Sequence, residues 1–244
     1  MRKFGLIGRN IDYSFSRKYF NNKFKTESIE AHYVNFDCAT VEAVSRLFEE
    51  KSDVSGFNVT IPYKEEVLPF LQRLSDEALE IGAVNTIKHE KDGSFTGHNT
   101  DYLGFMESIK PFLKDHHKDA LILGTGGASK AVEYALKKSG IATTFISRKP
   151  KTENILSYGE LSAEIMAKNT VIINTTPLGT FPDVQRSPNL PYAHLSKKHL
   201  LYDLVYNPAE TQFLKKGKEQ GAATANGTTM LKLQAEAAWK IWDS

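Results

Sequence analysis

A glycine-rich turn between an apolar run and an amphipathic segment constrains the fold of this chain more than any other feature. Residues 121–123, Leu-Ile-Leu, are typical of a buried strand, and Gly-Thr-Gly-Gly follows them directly at residues 124–127. Gly140 later supplies a stop signal for the helix expected after the turn. The apolar face of that helix has helical spacing and consists of Ala128, Ala131, Val132, Ala135 and Leu136. The pattern predicts a strand, a tight turn and a helix.

This turn has the properties of a phosphate-binding loop. Gly124 would permit the tight turn, Gly126 would let the backbone approach a phosphate, and the helix N-terminus would present N–H groups to the negative charge. We therefore predict a Rossmann-like dinucleotide site with cofactor contacts from Gly124, Gly126, Gly127 and Ala128. Ser129 occupies the third position of the motif, where glycine or alanine is usual. The alternative is that the glycines only make a sharp turn.

The end of the next predicted strand indicates which dinucleotide binds. NAD-binding units usually carry an acidic residue about 20 residues past the glycines, whereas arginine there suits the 2′-phosphate of NADP. Here the residues are Ser147, Arg148 and Lys149, with Lys151 close behind. A guanidinium group pairs well with phosphate, so NADP is the predicted cofactor. The alternative is a basic turn that is simply solvated.

The remaining apolar runs fall into two regions. In the first hundred residues they alternate with amphipathic segments, which predicts βαβ units, and Asp92-Gly93 predicts a hairpin turn. Strands are predicted there at residues 4–7, 32–36, 56–61, 84–87 and 94–97, with helices at 16–24 and 41–50. Later strands are predicted at residues 120–123, 143–147, 170–174, 200–205 and 222–225. Five such runs indicate a doubly wound parallel sheet.

These patterns predict an α/β protein of two domains. An N-terminal βαβ substrate domain would occupy residues 1–100 and would be completed by a C-terminal helix at residues 228–244. A Rossmann-like, doubly wound NADP-binding domain would occupy residues 101–227. A connecting helix is expected at residues 102–112, and the polar run at residues 114–119 separates it from the second alternating region.

Charge and composition argue against several classes of partner. The chain has 31 basic and 29 acidic residues, mixed along its length, and its net charge is +2. Nucleic-acid-binding arms usually carry a basic block, which is lacking here, so nucleic acid is not an expected partner. No apolar stretch is long enough to span a membrane, and the run at residues 4–7 is shorter than a signal-peptide core. A cytoplasmic location is therefore predicted.

Cysteine and histidine usage predicts no metal site. Cys38 is the only cysteine, so it has no internal disulfide partner and belongs to no CxxC motif; a small core residue is expected. The only adjacent histidines, His116 and His117, lie in a charged stretch that is typical of a linker. They lack the companion ligands of a zinc motif.

Four short polar segments in the first region place hydroxyl or amide groups beside strand ends. They cover residues 14–16, 58–64, 83–86 and 99–101, and their hydroxyl and amide groups suit a polyhydroxylated substrate. In an open α/β sheet the ligand crevice lies at such ends. Lys64 and Asp101 add one amine and one carboxylate. Taken singly, each residue could instead be a helix cap or a turn residue.

These segments resemble the shikimate dehydrogenase family along nearly the whole chain. Family-like motifs occur at residues 58–64 (Asn-Val-Thr-Ile-Pro-Tyr-Lys), 82–86 (Gly-Ala-Val-Asn-Thr), 99–101 (Asn-Thr-Asp) and 124–130 (Gly-Thr-Gly-Gly-Ala-Ser-Lys). Others occur at residues 174–179, 203–208, 226–227 and 230–231, and at Gln234. The resemblance implies reversible, NADPH-dependent reduction of 3-dehydroshikimate to shikimate.

The resemblance also implies roles for particular residues. Lys64 and Asp101 correspond to the catalytic pair, and Thr175 and Gly227 extend the cofactor site. As hydride reaches the carbonyl carbon, the oxygen needs a proton and a positive donor, and lysine can supply both. Asp101 would orient the ammonium group and a substrate hydroxyl. Substrate contacts are implied for Ser14, Ser16, Asn58, Thr60, Asn85, Tyr206 and Gln234.

The first loop departs from the family pattern. Asn10 and Arg17 each stand where the family usually has proline. Tyr13 and Phe20 each stand where it usually has histidine. These departures keep open a quinate or dual-specificity dehydrogenase, and a catalytically inactive NADP-binding sensor is a second alternative. Lys64 and Asp101 argue against the sensor, since a binding protein needs neither. A monomer or a homodimer is expected.

Overall fold

Two six-stranded sheets organise the chain, in a computed structural model that describes residues 1–12, 14–50 and 53–244. One unit contains Met1–Thr100 together with Ala235–Ser244, and the other contains Asp101–Gln234. Each unit has its own sheet and its own buried apolar clusters. Among the described residues, no helix has both the length and the apolar character needed to cross a membrane.

The first unit begins with two parallel crossovers. β1 (Arg2–Gly8) leads through α1 (Phe15–Thr26) to β2 (Ala31–Asp37), and α2 (Val41–Glu50) then leads to β3 (Val54–Val59). β1 lies between the other two strands and is parallel to both. Parallel neighbours need such helical crossovers, so the predicted βαβ order is confirmed.

An antiparallel hairpin extends this sheet. After the short strand β4 (Arg73–Leu74) and α3 (Asp76–Ile81), β5 (Thr86–His89) pairs with β6 (Phe95–His98). Gly93 at the hairpin turn has a φ of +83°, the left-handed conformation for which glycine is suited. The predicted hairpin is confirmed. β4 was not predicted, because a strand of two residues is too short to show an alternation of apolar and polar side chains.

The second unit is a parallel sheet with helical crossovers. Its strand order is β12-β11-β10-β7-β8-β9, and every pairing is parallel. The strands are β7 (Asp119–Leu123), β8 (Ala142–Ser147), β9 (Ile155–Ser157), β10 (Val171–Asn174), β11 (Leu200–Asp203) and β12 (Ala223–Asn226). The helices are α4 (Asp101–Ile109), α5 (Gly127–Lys138), α6 (Ala163–Lys168) and α7 (Gln212–Glu219), and α8 (Thr228–Trp242) begins in this unit and ends in the first. The α/β class with a doubly wound sheet is confirmed, and β9 is an additional edge strand.

Both faces of the central strand β7 are buried. Ala120 and Ile122 belong to one apolar cluster, whereas Leu121 and Leu123 belong to the other. All four side chains are 0% exposed. A strand buried on both faces reads as a continuous apolar run, which explains why the sequence marks β7 so clearly.

The histidine pair has a structural role that the sequence did not reveal. His117 is only 4% exposed, and its Nδ1 accepts a hydrogen bond from the Lys114 backbone N–H at 3.0 Å. The Nε2 atoms of His116 and His117 lie 3.0 and 3.2 Å from the Lys198 carbonyl oxygen. The interpretation of this stretch as a plain linker was therefore wrong, because both rings contact the segment before β11.

The final helix contributes side chains to both units. Met230 belongs to an apolar cluster of the second unit. From Ala235 onward the helix belongs to the first unit, where Ala235, Ala238, Trp239 and Trp242 pack with Phe4 of β1. Cys38 is also buried in the first unit, as expected of a core residue.

Candidate active site

Ser14 and Ser16 lie at the start of α1 but have different surroundings. Ser14 is the N-cap, and its Oγ accepts a hydrogen bond from the Arg17 backbone N–H at 3.2 Å. Ser16 is 9% exposed and is hydrogen-bonded to the hydroxyl group of Tyr33. Burial raises the pKa of Tyr33 well above its usual value, and this hydrogen bond opposes the shift only in part. Tyr33 is therefore a neutral hydrogen-bonding group.

A chain of buried hydrogen bonds continues from Tyr33. Its hydroxyl donates to Asn58 Oδ1 at 2.8 Å, and Asn58 Nδ2 donates to Thr86 Oγ1 at 3.1 Å. Asn85 Nδ2 donates to Thr100 Oγ1 at 2.9 Å, and Asn85 Oδ1 accepts from the Thr100 backbone N–H at 2.7 Å. None of these five residues is more than 4% exposed. Buried amides with several partners keep a fixed orientation.

The structure thus brings three of the predicted substrate residues into one network, namely Ser16, Asn58 and Asn85. Sequence reasoning did not assign a role to Tyr33, which is central to it. Tyr33 lies on β2, and its only sequence signal was its place in a predicted strand. The register of β2 and of β3 against the shared strand β1 places the Tyr33 hydroxyl beside Asn58, and such register is set by strand pairing.

Lys64 follows β3 in a turn that is anchored on both sides. The backbone oxygen of Lys64 accepts a hydrogen bond from the Val84 N–H at 2.7 Å. The neighbouring Tyr63 is 0% exposed, and its hydroxyl donates to the Cys38 carbonyl oxygen at 2.6 Å. Thr60 opens the turn by donating its N–H to Ile7 at 2.9 Å. The strand was predicted to reach residue 61 but ends at Val59, because Pro62 has no N–H for a sheet bond.

Asp101 is the first residue of α4 and belongs to the second unit. It is 6% exposed. The helix dipole stabilises a carboxylate at this position. The preceding Thr100 is held by Asn85, so the chain enters α4 from a fixed point. The cap role considered from sequence and a catalytic role are compatible at this position.

The glycine turn after β7 has the geometry expected of a phosphate loop. Gly124 has a φ of +110°, and a Cβ there would lie 2.8 Å from Thr175 Oγ1. At Gly126 no atom lies within 4 Å of an added Cβ among the described residues, so its backbone faces open space. Gly126 is also the N-cap of α5 and offers no side-chain oxygen to the first helical N–H groups. This backbone can accept a dinucleotide phosphate.

Ser129 fits the third motif position despite its hydroxyl group. It is 1% exposed, and its Oγ donates to the Gly126 carbonyl oxygen at 2.6 Å. The third position must be small because the helix packs closely on the sheet there. Serine satisfies this need and pairs its own hydroxyl group, so the departure is structurally neutral.

The basic turn after β8 is also fixed locally. Ser147 Oγ accepts the Lys149 backbone N–H and donates to the Lys149 carbonyl oxygen, both at 3.2 Å. The turn presents Arg148 and Lys149 as exposed side chains at the carboxyl end of the strand. Dinucleotides bind at this edge of a doubly wound sheet.

Three of the other predicted contacts, Thr175, Tyr206 and Gly227, follow the carboxyl ends of β10, β11 and β12, and the fourth, Gln234, lies on α8. Thr175 Oγ1 donates to the Leu123 carbonyl oxygen at 2.7 Å, which ties it to the glycine turn. Tyr206 is 40% exposed just after β11. Gly227 lies so close to Leu204 that a Cβ would overlap the Leu204 carbonyl group. Gln234 is 8% exposed, and its amide donates to the Leu231 carbonyl oxygen at 3.0 Å.

A buried carboxylate that sequence reasoning did not single out organises two of these loops. Asp203 Oδ1 accepts from Asn174 Nδ2 at 2.9 Å and from the Val205 N–H at 3.0 Å. Its Oδ2 accepts from Thr211 Oγ1 at 2.6 Å. Burial raises the pKa of Asp203 to about 6, although all three hydrogen bonds act in the opposite direction. The carboxylate ties β10 to β11 and to the N-cap of α7.

Replacing Asp203 with asparagine is expected to change how stability depends on pH. The native carboxyl group binds its proton more tightly than an unfolded aspartate, whose pKa is about 3.9. Its contribution to stability is therefore present below about pH 4 and lost as the pH rises to about 6. Asp203→Asn stays neutral, so it should gain about 2 to 3 kcal/mol relative to wild type between pH 4 and 7. Denaturant unfolding of both proteins at pH 4 and at pH 7 measures their free energies of unfolding. A difference between variant and wild type that is the same at both pH values would contradict this expectation.

Comparison with known proteins identifies the family. The sequence profile of the shikimate dehydrogenase substrate binding domain matches residues 6–87. The curated shikimate dehydrogenase (NADP(+)) of Methanococcus vannielii is 36% identical, over 98% of this chain and 90% of that protein. The chain belongs to the shikimate dehydrogenase family.

Solved structures extend this result to the fold. A shikimate 5-dehydrogenase from Thermus thermophilus, in complex with NADP(H) and shikimate, has a TM-score of 0.88 at 31% identity. That match covers 99% of this chain and 93% of the other. A quinate dehydrogenase from Corynebacterium glutamicum, in complex with NAD, has a TM-score of 0.87 at 27% identity, with the same coverage. The resemblance inferred from sequence is confirmed.

Two departures from the shikimate dehydrogenase pattern have physical explanations. Asn10 has a φ of +56°, and its N–H donates to Asp37 Oδ1 at 3.0 Å. Proline can provide neither feature. Phe20 is 0% exposed and stacks on Tyr33 with 4.8 Å between ring centroids. Arg17 is an exposed residue that donates to the Asp12 carbonyl oxygen, and Tyr13 lies outside the described residues.

Proposed function

We propose that this chain is an NADP-dependent shikimate dehydrogenase, which reversibly reduces 3-dehydroshikimate to shikimate. The observation that carries the proposal is the 36% identity, over nearly the whole chain, with a curated shikimate dehydrogenase (NADP(+)). The reaction belongs to the biosynthesis of chorismate and the aromatic amino acids.

The first unit would bind the substrate. Its profile match at residues 6–87 supports this assignment, and so does its buried network of Ser16, Asn58 and Asn85. Amides and hydroxyls held by several partners can recognise ring hydroxyls with little loss of rotamer entropy. Ser14, Thr60, Tyr206 and Gln234 are proposed to add further substrate contacts.

The second unit would bind the cofactor, and NADPH when bound supplies the hydride. The turn at Gly124, Gly126 and Gly127 would receive the pyrophosphate, because it combines open backbone with an uncapped helix start. Arg148 would pair with the 2′-phosphate. The proposed contacts also include Ala128, Ser147, Lys149, Thr175 and Gly227.

Lys64 and Asp101 would carry the chemistry on the protein side. The ammonium group of Lys64 would bind the substrate carbonyl oxygen and donate a proton to it as negative charge develops. The carboxylate of Asp101 would orient both that ammonium group and a neighbouring substrate hydroxyl. The anchored turn around Tyr63 and the fixed entry into α4 would hold these two groups in place.

A quinate or dual-specificity dehydrogenase is the second candidate. Its support is the fold shared with the quinate dehydrogenase of Corynebacterium glutamicum. The basic turn at Arg148 favours NADP over NAD, and the higher identity to the NADP-dependent relative favours shikimate. The cytoplasmic location, and a monomeric or homodimeric state, stay predictions.

Initial rates with four substrate pairs test the proposal. The purified full chain is assayed with shikimate or quinate, each combined with NADP or NAD, and formation of the reduced cofactor is followed. We expect the highest kcat/KM for shikimate with NADP. A higher value for quinate would assign the second candidate. A chain that binds NADPH yet turns over none of the four pairs would be a sensor.

A further inference from the structure

The second unit contains a cavity of about 400 Å³ beside the basic turn. Arg148 lines it from the end of β8, and Leu178 lines it from the loop after β10. Tyr158, which follows β9, and Arg186, in the long segment before β11, also line the cavity. Binding cavities for small molecules have about this size. The loops that form it lie at the carboxyl edge of the sheet, where dinucleotides bind.

Two guanidinium groups therefore line one cavity, and no carboxylate lines it among the described residues. The carboxylate of Glu160 lies nearby but is held by Ser157, through its N–H at 2.7 Å and its Oγ at 2.6 Å. Lys216 Nζ donates to Ser187 Oγ, a lining group, at 2.9 Å and adds positive charge. Burial raises the pKa of Tyr158, and the positive charge of Arg148 partly opposes this shift. The cavity suits an anionic ligand with an aromatic portion.

The ion pair between Arg186 and the carboxylate of Asp183 is weak. Its Nη1 lies 3.4 Å from Asp183 Oδ2, and the two side chains are 60% and 61% exposed. An exposed pair with this geometry contributes little, and a phosphate dianion is a stronger partner for a guanidinium group. Arg186 can therefore exchange Asp183 for a phosphate at the cavity.

We propose that Arg186 is a second specificity determinant for the 2′-phosphate of NADP, acting together with Arg148. The inference rests on the proposed function, because it assumes that NADP is the cofactor. Arg148 comes from the usual position after the second strand of the nucleotide fold. Arg186 comes from a separate loop and reaches the same cavity only through the tertiary fold. Asp183 acts as a competitor that holds Arg186 when the cofactor is absent.

Binding of two nucleotide fragments to the full chain tests this role. Adenosine 2′,5′-bisphosphate carries the 2′-phosphate, and 5′-AMP lacks it. Isothermal titration would compare wild type with Arg186→Gln, Arg148→Gln and Asp183→Asn. Lys168→Gln is the matched control, since it removes one charge from the same unit at the amino edge of the sheet, where Lys168 pairs with Asp119.

Arg186→Gln should weaken the bisphosphate about tenfold, as expected for one charge-assisted hydrogen bond, and should leave 5′-AMP within about twofold. Asp183→Asn should tighten the bisphosphate about twofold, because the competitor is gone. Lys168→Gln should change neither ligand. Because the Arg186 side chain is exposed, its replacement should leave folding intact, and an unchanged unfolding midpoint checks this directly.

Other outcomes would overturn the role of Arg186. Equal weakening of both fragments would mean that Arg186 only supports the loop, and unchanged binding would mean that Arg148 acts alone. If Lys168→Gln weakens the bisphosphate as much as Arg186→Gln does, the weakening comes from the loss of net positive charge and not from a contact made by Arg186. If wild type prefers 5′-AMP to the bisphosphate, the NADP assignment itself fails. If Arg186→Gln binds the bisphosphate as tightly as wild type and still oxidises shikimate with NADP, the role of Arg186 is refuted and the proposed function stands.

Discussion

Replacing Lys64 with methionine is expected to lower kcat about a thousandfold while leaving the dissociation constant of shikimate within a few fold of wild type. Methionine keeps most of the length of the side chain but removes the ammonium group that would protonate the substrate oxygen. Because that interaction grows as charge develops, its loss falls on kcat more than on KM. Steady-state kinetics and direct titration of shikimate would separate the two effects.

Lys91→Met provides the matched control for this experiment. Lys91 is an exposed lysine of the same unit next to the hairpin turn, and its replacement should leave all kinetic constants unchanged. Titration with NADPH would show that the Lys64 variant retains an intact cofactor site. A Lys64→Met enzyme with wild-type kcat would remove lysine from the mechanism.

Replacing Trp242 with alanine should lower the free energy of unfolding by about 3 to 5 kcal/mol. The indole ring is 6% exposed and stacks on Phe4 with 4.8 Å between ring centroids, and it lies 5.3 Å from Phe20. Its Nε1 donates to the Ile87 carbonyl oxygen at 3.0 Å. The substitution would therefore leave a large cavity in the first unit and remove one hydrogen bond to the Ile87 carbonyl oxygen.

Chemical denaturation followed by circular dichroism measures this effect. Lys240→Ala lies on the same helix with an exposed side chain, and its stability should stay within about 0.5 kcal/mol of wild type. Because Tyr33 packs beside Trp242 at 6.3 Å and holds Asn58, the alanine variant should also raise KM for shikimate. A loss below about 1 kcal/mol would show that the last helix is not integral to the first unit.

Much of the fold could be predicted because its main signals are local. β7 is buried on both faces and therefore appears as an unbroken apolar run, and the left-handed Gly124 marks the turn that follows it. The hairpin was equally clear, since Asp-Gly specifies a tight turn. Elements with weak local signals were missed: β4 has two residues and β9 has three.

The hydrogen-bond partners within the candidate site could not be predicted in this way. Tyr33 and Asn58 are 25 residues apart and meet only through the pairing of β1 with both of their strands. The sequence places Asp203 in a predicted strand and gives Thr211 no role, and neither signal reveals that the two side chains are buried and hydrogen-bonded to each other. Arg186 and Arg148 are 38 residues apart in the sequence, and only the tertiary fold brings both to one cavity. Family resemblance supplied several residue types but not these contacts.

Reduction of 3-dehydroshikimate by NADPH tests the central claim most directly. The full chain is mixed with equal amounts of the two compounds, NADPH absorbance is followed, and the product is identified by NMR. The account predicts one shikimate formed for each NADPH consumed, with the Lys64→Met enzyme slower by about a thousandfold under the same conditions. Chain that binds NADPH but forms no shikimate, even at enzyme concentrations equal to the substrate, would contradict it.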